Sequence, residues 1–263
     1  MTAPLALTVA LLAVSIPFTP TCTAAGKLQL DPNSRIVLLG NGLGSRMMHF
    51  GHFETELQRR YPQHHLFIRN LCDEGNTPGF RPHSARPNPW AFPGAEKYHP
   101  PLSTAKDRWG SGNVGHGKMD SPDAWLTRLK PDLVVAFFGY NESFRGTAGL
   151  DNFKDELRDF IHHTRSQKYN GSAAPKLALV SPVAFEDLST THGTPDGTVT
   201  NANLALYTAA MEEVAKAEGV HFVNLFNPTR GWFDNSNIPL TRDGALLTGD
   251  TYAKLAPALA DAL

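Results

Sequence analysis

The chain has 263 residues, 41% of them apolar, which suits one large α/β domain or two small ones with a sizeable core. Its 24 Lys and Arg against 25 Asp and Glu leave a net charge of -1, so no overall field draws in nucleic acid or an anionic membrane, and neither is expected as a partner. No Cys/His spacing matches a zinc site, and no cofactor is implied.

The chain opens with "MTAPLALTVALLAVSIPFTPTCTAAG", an apolar run from Leu5 to Ile16 followed by small residues around Ala24 and Ala25. This predicts an export signal over residues 1–25, cleaved near Gly26, and a secreted or periplasmic domain over 26–263. No Lys or Arg precedes the run, and it is short for a membrane span, so an uncleaved anchor and a buried N-terminal helix remain as alternatives. Of the two cysteines, Cys22 falls inside this leader, leaving Cys72 alone and no internal disulfide in the mature chain.

"RIVLLGNGLGSRMM", residues 35 to 48, reads as a buried strand, a glycine-rich turn and a helix. An α/β hydrolytic enzyme places its nucleophile at such a turn, yet Asn41, Gly42, Leu43 and Gly44 precede the first hydroxyl, Ser45. Further strands are expected at Leu66 to Arg69, Leu133 to Phe138, Leu177 to Val180 and His221 to Leu225. Helical patterns run over about Phe53 to Tyr61, Leu150 to Gln167, Ala202 to Glu218 and Thr251 to Leu263, the third capped by Asn201 and stopped by Gly219. Apolar strands alternating with helices predict an α/β fold of three layers, a doubly wound five-stranded parallel sheet covered on both faces. Ligands of such sheets bind outside the carboxyl ends of the strands, so the loops after them carry the candidate chemistry. Residues 75–125 break the rhythm with Pro, Gly, His and Trp and no sustained period, and read as an ordered lid or substrate loop. Residues 189–201 read as a plain loop.

The strands are followed by "GNGLGSRM", "RNLCDEGN" and "FFGYNESF", and the chain ends with "LTRDGALLT". In this order the four blocks resemble the SGNH hydrolase superfamily, the GDSL-like esterases, across roughly residues 34 to 263. The resemblance implies a flavodoxin-like fold and acyl-ester hydrolysis. It assigns Asn141 as the side-chain oxyanion donor and Gly75 as the glycine whose N–H joins it, preorganised donors of the kind that stabilise developing charge. It also places Gly42 where the family carries Ser, and Leu246 where it carries His, with Asp243 as the orienting acid three residues before. Ser–His catalysis needs a hydroxyl within reach of an imidazole, so both halves of the usual relay are missing by this correspondence. "HFGHFETELQRRYP", "AFFGYNESF" and "NANLALYTAAMEEVAKAEGVHFVNLF" are similar to exported SGNH-like proteins of planctomycete and verrucomicrobial type, in which the Ser position often carries another residue.

Replacements are conceivable. Ser45 lies nearly one helical turn past Gly42, a weak alternative nucleophile whose other role is helix capping. His49, His52, His83, His99, His116 and His192 fall in or near loops, where three together would ligate a metal. Asp73 and Glu74, next to Gly75, offer a carboxylate to activate water. The leading reading is an exported hydrolase of a small or carbohydrate ester that uses Asn141, Gly75 and an atypical nucleophile or activated water. Against it stands a noncatalytic glycan-binding module with a pocket of Asn41, Trp90, Trp109 and Arg81 or Arg86. The oligomeric state is not legible.

Overall fold

The computed structural model describes residues 22–23, 28–99 and 117–263. All of the expected leader except Cys22 and Thr23 lies outside the described residues, as do Trp109 and His116. The strands are β1 (Cys22–Thr23), β2 (Arg35–Gly40), β3 (Phe67–Asn70), β4 (Leu133–Phe137), β5 (Lys176–Val180) and β6 (His221–Val223). Five of them are parallel, in the order β6-β5-β4-β2-β3, and β1 pairs antiparallel with the free side of β6. The expected five-stranded parallel sheet is therefore present, with a two-residue edge added from a segment too short to show any period.

Side chains alternate across the sheet, as the pleat requires. Ile36 and Leu38 of β2, with Val135 and Phe137 of β4, enter one core. That core is closed by α1 (Gly42–Phe50), α2 (His52–Arg60) and α8 (Gly249–Ala262), through Met47, Leu57 and Leu259 among others. Val37 and Leu39, with Val134 and Ala136, enter the second core. There α3 (Pro122–Leu129), α5 (Leu150–Ser166) and α6 (Thr198–Glu218) contribute Leu126, Phe160 and Met211. The remaining α-helices are α4 (Tyr140–Ser143), directly after β4, α7 (Phe226–Asp234), after β6, and a single turn at Ser189–His192, so the stretch 189–201 read from the sequence as loop holds one helical turn and the start of α6. Among the described residues no helix is long and apolar enough to cross a membrane.

Several helix boundaries differ from the sequence reading. Helix α6 begins at Thr198 behind Gly197, so Asn201 is not its cap but lies in its first turn. The Asn201 amide instead brackets Phe185, accepting its N–H and donating to its carbonyl, both at 2.8 Å. Gly219 does stop the helix, in the left-handed conformation at φ 62°. Helices α3 and α7 were not expected. The first begins within the aperiodic insertion, and "FNPTRGWFD" of the second carries a Pro and a Gly that mask its pattern.

Strand order places β2 and β4 side by side, each leading into a connection that leaves on a different face. This is the switch point at which doubly wound sheets open a crevice. Gly40 ends β2 at φ 125°, and a Cβ there would collide with the Phe137 carbonyl, which also accepts the Asn41 N–H at 3.0 Å. Gly51, between α1 and α2, has φ 63° but open space around it. Gly40→Ala is expected to lower the unfolding free energy by more than about 2 kcal/mol, and Gly51→Ala by only about 1 kcal/mol. Urea denaturation of the two variants beside wild type checks the contrast.

Candidate active site

At the switch point the chain turns into α1. Asn41 is the N-cap of this helix, its Oδ1 accepting the Leu43 N–H at 3.4 Å, and it is only 2% exposed. It therefore supports the turn from below. Ser45, expected as a possible cap, is instead inside the helix, with its N–H donating to the Asn41 carbonyl at 3.0 Å. Gly42 is the first helical residue, and the one described atom that a Cβ there would meet within 4 Å is Cγ of Glu74, at 3.7 Å. Gly44, two residues further, faces the Cys72 sulfur, and burial pushes that thiol up, away from the reactive thiolate form.

The loop after β3 is tied to this turn. The Gly40 carbonyl accepts the Asp73 N–H at 2.9 Å and the Asn76 side-chain amide at 3.1 Å. The Asn76 N–H closes a turn onto the Asp73 carbonyl at 3.0 Å, with Glu74 and Gly75 at its tip. From the other side, Asn141 of α4 donates Nδ2 to the Glu74 carbonyl at 2.7 Å and to the Asn76 carbonyl at 2.9 Å. Both amide hydrogens of Asn141 are thus spent on the carbonyls of Glu74 and Asn76, the residues on either side of Gly75. Among the described residues, nothing accepts the N–H of Gly42 or of Gly75. Two backbone donors at the switch point, one of them at a helix N-terminus, are thus left without an acceptor.

Asn141 is itself positioned by the residue after it. Glu142, 4% exposed, accepts the Gly139 N–H on Oε2 at 2.8 Å, bracing the single turn of α4. Burial, reinforced by the nearby Glu156 carboxylate, pushes the Glu142 carboxyl up to about 8. Glu156 of α5 is 1% exposed and accepts from the Thr77 hydroxyl and the Gly79 N–H, both at 2.8 Å, with His99 Nε2 2.9 Å away. This cluster fastens both ends of the described stretch 77–99 to α5.

The last loop closes the far side. Asp243 Oδ1 accepts the N–H groups of Ala245 and Leu246, at 3.0 and 2.8 Å, so its carboxylate shapes a turn where an orienting acid would hold an imidazole. Leu246 is half-buried, and its carbonyl accepts the Arg242 N–H at 2.9 Å. The Asp243 carboxylate, after burial, also helps to raise the Tyr140 hydroxyl, which puts this loop alongside α4. Buried Glu186 holds the loop's base, accepting from Leu240 N–H at 2.9 Å and from the N–H and hydroxyl of Thr241, both at 2.6 Å.

The insertion residues fall elsewhere. Trp90 forms an antiparallel bridge with Phe80, and its ring is tilted against those of Phe80 and His99, with centroids 5.1 Å and 5.7 Å away. Arg81, 4% exposed, lies over the Phe160 ring at 5.5 Å, and burial holds its guanidinium down to about 10. Arg86 braces this stretch, donating to the carbonyls of Arg81 at 2.6 Å and Asp120 at 3.0 Å. Pro82 packs over Gly75, 3.4 Å from where a side chain would start, so the insertion overlies the turn. Trp109 lies outside the described residues. The loop histidines are dispersed: His49 is exposed on α1, His83 accepts the Ala85 N–H, and His192 pairs with Thr191. Among the described residues no three His, Cys, Asp or Glu side chains gather as a metal-binding group. Sequence reading missed Glu142, Glu156 and Glu186. Only the position of Glu156 on the apolar face of α5 gave a signal, since a carboxylate there must find buried donors.

Residues 105–247 match the GDSL-like lipase/acylhydrolase family, and the chain belongs to it. Its fold is similar to that of an acetylxylan esterase from Geobacillus stearothermophilus, 14% identical, with a TM-score of 0.56 over 89% of this chain and 96% of that one. It is also similar to an α/β-hydrolase enzyme from the metagenome of Lake Arreo, Spain, 15% identical, with a TM-score of 0.56 and the same coverage, 89% and 96%. A putative GDSL-like lipase from Parabacteroides merdae is 12% identical, with a TM-score of 0.58 over 90% of this chain and 98% of that one. Catalytic mutants of the acetylxylan esterase replace an Asp, a Ser and a His. No curated protein matches the chain.

The raised Glu142 carboxyl carries a sign for stability. Between the ordinary 4.5 and about 8 the folded chain keeps a proton that the unfolded chain releases, so this contribution is complete below 4.5 and is lost as pH rises toward 8. Glu142→Gln keeps an acceptor for Gly139 without the charge. Relative to wild type it is expected to gain stability from pH 5 to pH 8, on the order of a few kcal/mol, read from urea midpoints at both pH values.

Proposed function

We propose that this protein is an exported hydrolase of acylated carbohydrate or a similar small ester, which stabilises the tetrahedral intermediate with backbone donors and dispenses with the Ser–His relay. The observation that carries this reading is the pair of unspent N–H groups, Gly42 and Gly75, at the switch point, with Asn141 clamping the carbonyls of Glu74 and Asn76 on either side of Gly75. Acyl transfer builds negative charge on the former carbonyl oxygen, and fixed donors in place before the reaction stabilise it without reorganisation. In this reading Asn141 acts first through the Gly75 turn, and it donates directly once an amide hydrogen leaves a carbonyl for the oxyanion. The carbohydrate preference follows the likeness to the acetylxylan esterase.

A second reading is favoured by Gly42, by Leu246 and by the engagement of Asp243 in its own turn: a binding module that holds a glycan without cleaving it. A cavity of about 570 Å³ between the loops after β5 and β6, lined in part by Phe185, Asp187, Thr191, Asn201, Arg230 and Asn237, has the volume of a small-ligand site. Export rests on residues 1–25 serving as a cleaved leader, and N-terminal sequencing of the exported protein, expected to begin near Gly26, tests it.

Turnover of acetylated xylo-oligosaccharides and p-nitrophenyl acetate is expected in wild type and is expected to fall about 100-fold in Asn141→Ala. Equal rates in the two proteins, or no rate together with calorimetric binding of unacylated oligosaccharide, would favour the binding module. Gly42 has helical backbone and room for a side chain, and the Leu246 backbone is held by Asp243. The double variant Gly42→Ser/Leu246→His is therefore expected to gain ester turnover that neither single variant shows, with covalent labelling of the introduced hydroxyl by a fluorophosphonate as a second readout.

A further inference from the structure

We infer that Glu74 is the general base of this site, a catalytic residue that activates the attacking water in the space Gly42 leaves open; the inference rests on the ester-hydrolase reading above. The Glu74 side chain is the one described group that borders the position of a Gly42 side chain, with Cγ 3.7 Å from where that side chain would begin. Its carboxylate carbon is one bond of roughly 1.5 Å beyond Cγ, so the carboxylate lies within reach of the space that Gly42 leaves open.

The other acids around the crevice are engaged. Asp73 accepts the Glu74 N–H at 2.8 Å, Asp243 accepts two N–H groups of its own turn, Glu142 braces Gly139, and Glu186 grips Thr241. Glu74 is different. Its backbone is fixed by the Asp73 carboxylate at the N–H and by Asn141 at the carbonyl, while among the described residues nothing bonds its carboxylate. A fixed backbone beneath a free, exposed carboxylate is the arrangement that a base needs in order to meet a water.

In the step that follows, Glu74 takes a proton from water as the water oxygen bonds to the acyl carbon. The carbonyl electron pair moves to oxygen, where the Gly42 and Gly75 N–H groups hold the charge. Collapse reforms the carbonyl and breaks the ester C–O bond, and the departing alkoxide takes the proton from Glu74. The products are the carboxylic acid and the alcohol, Glu74 is again a carboxylate, and no covalent enzyme intermediate forms.

The test compares wild type, Glu74→Gln and Glu74→Ala on acetylated xylo-oligosaccharides and p-nitrophenyl acetate. Both variants are expected to lose about 100-fold or more in kcat with little change in KM, and to melt with wild type because the side chain is exposed. Azide or formate is expected to restore part of the activity of Glu74→Ala and none in Glu74→Gln, a rescue that a merely structural residue would not show. Single-turnover hydrolysis in ¹⁸O-water is expected to place label in the product acid and none in the protein. Activity of Glu74→Gln within about threefold of wild type, or label found on Glu74, overturns the assignment of a general base while leaving the ester-hydrolase reading in place. An inactive wild type alongside an active Gly42→Ser/Leu246→His variant also removes Glu74 as a base and keeps only the ester-binding pocket. Inactivity of both proteins removes both.

Discussion

Everything at the carboxyl end of the sheet depends on how closely β2 and β4 approach where they part. Gly40 lies so near the Phe137 carbonyl that no side chain fits between them, and that carbonyl then receives the Asn41 N–H. The contact fixes the height and direction at which α1 starts. The Gly40 carbonyl in turn holds the loop after β3 through Asp73 and Asn76, so one glycine peptide sets the positions of two of the loops that face the crevice. The third, after β4, is locked to the second by Asn141. The geometry of the site is thus a property of backbone contacts, with side-chain amides serving as braces.

This explains how the architecture accommodates its unusual residues. The hydrogen bonds of this frame use neither a side chain at position 42 nor the side chain of Leu246. The carboxylates share the structural work instead. Glu142 and Glu156 sit close enough to raise the proton affinity of Glu142, and each also satisfies backbone groups that would otherwise be buried without partners. Buried acids near a site are commonly read as catalytic. Here hydrogen bonding separates them: the buried acids Glu142, Glu156 and Glu186 hold backbone in place, whereas the exposed Glu74 carboxylate has no partner among the described residues.

The parallel strands, their order along the chain and the loops that bear on the site were legible because each strand is a short apolar run and each site loop follows one directly. Asn141, Gly75, Gly42 and Asp243 do gather at one end of the sheet. What the sequence concealed is what each polar atom is bonded to. Nothing in "DGALL" says that Asp243 folds back on Ala245 and Leu246, and nothing in "NES" says that both Asn141 hydrogens go to carbonyls. Asn201 resembled a cap because it precedes an apolar period, but the N-cap is a left-handed Gly197, four residues earlier. The insertion was legible as an interruption and, from its aromatics, as an ordered lid or substrate loop, but not in how it is held. Its fastening by Thr77, Gly79 and His99 to one carboxylate on α5 joins residues far apart in sequence and has no local signature.

The grip of Glu186 on Leu240 and Thr241 has an evolutionary side. Because that carboxylate, the Asp243 turn and the pairing of Thr241 with Leu247 define the last loop without using the side chain at 246, that position is free to drift. The group carried there can therefore be exchanged without disturbing the hydrogen bonds that hold the loop, so the chemistry of this position and the architecture beneath it are set by different residues.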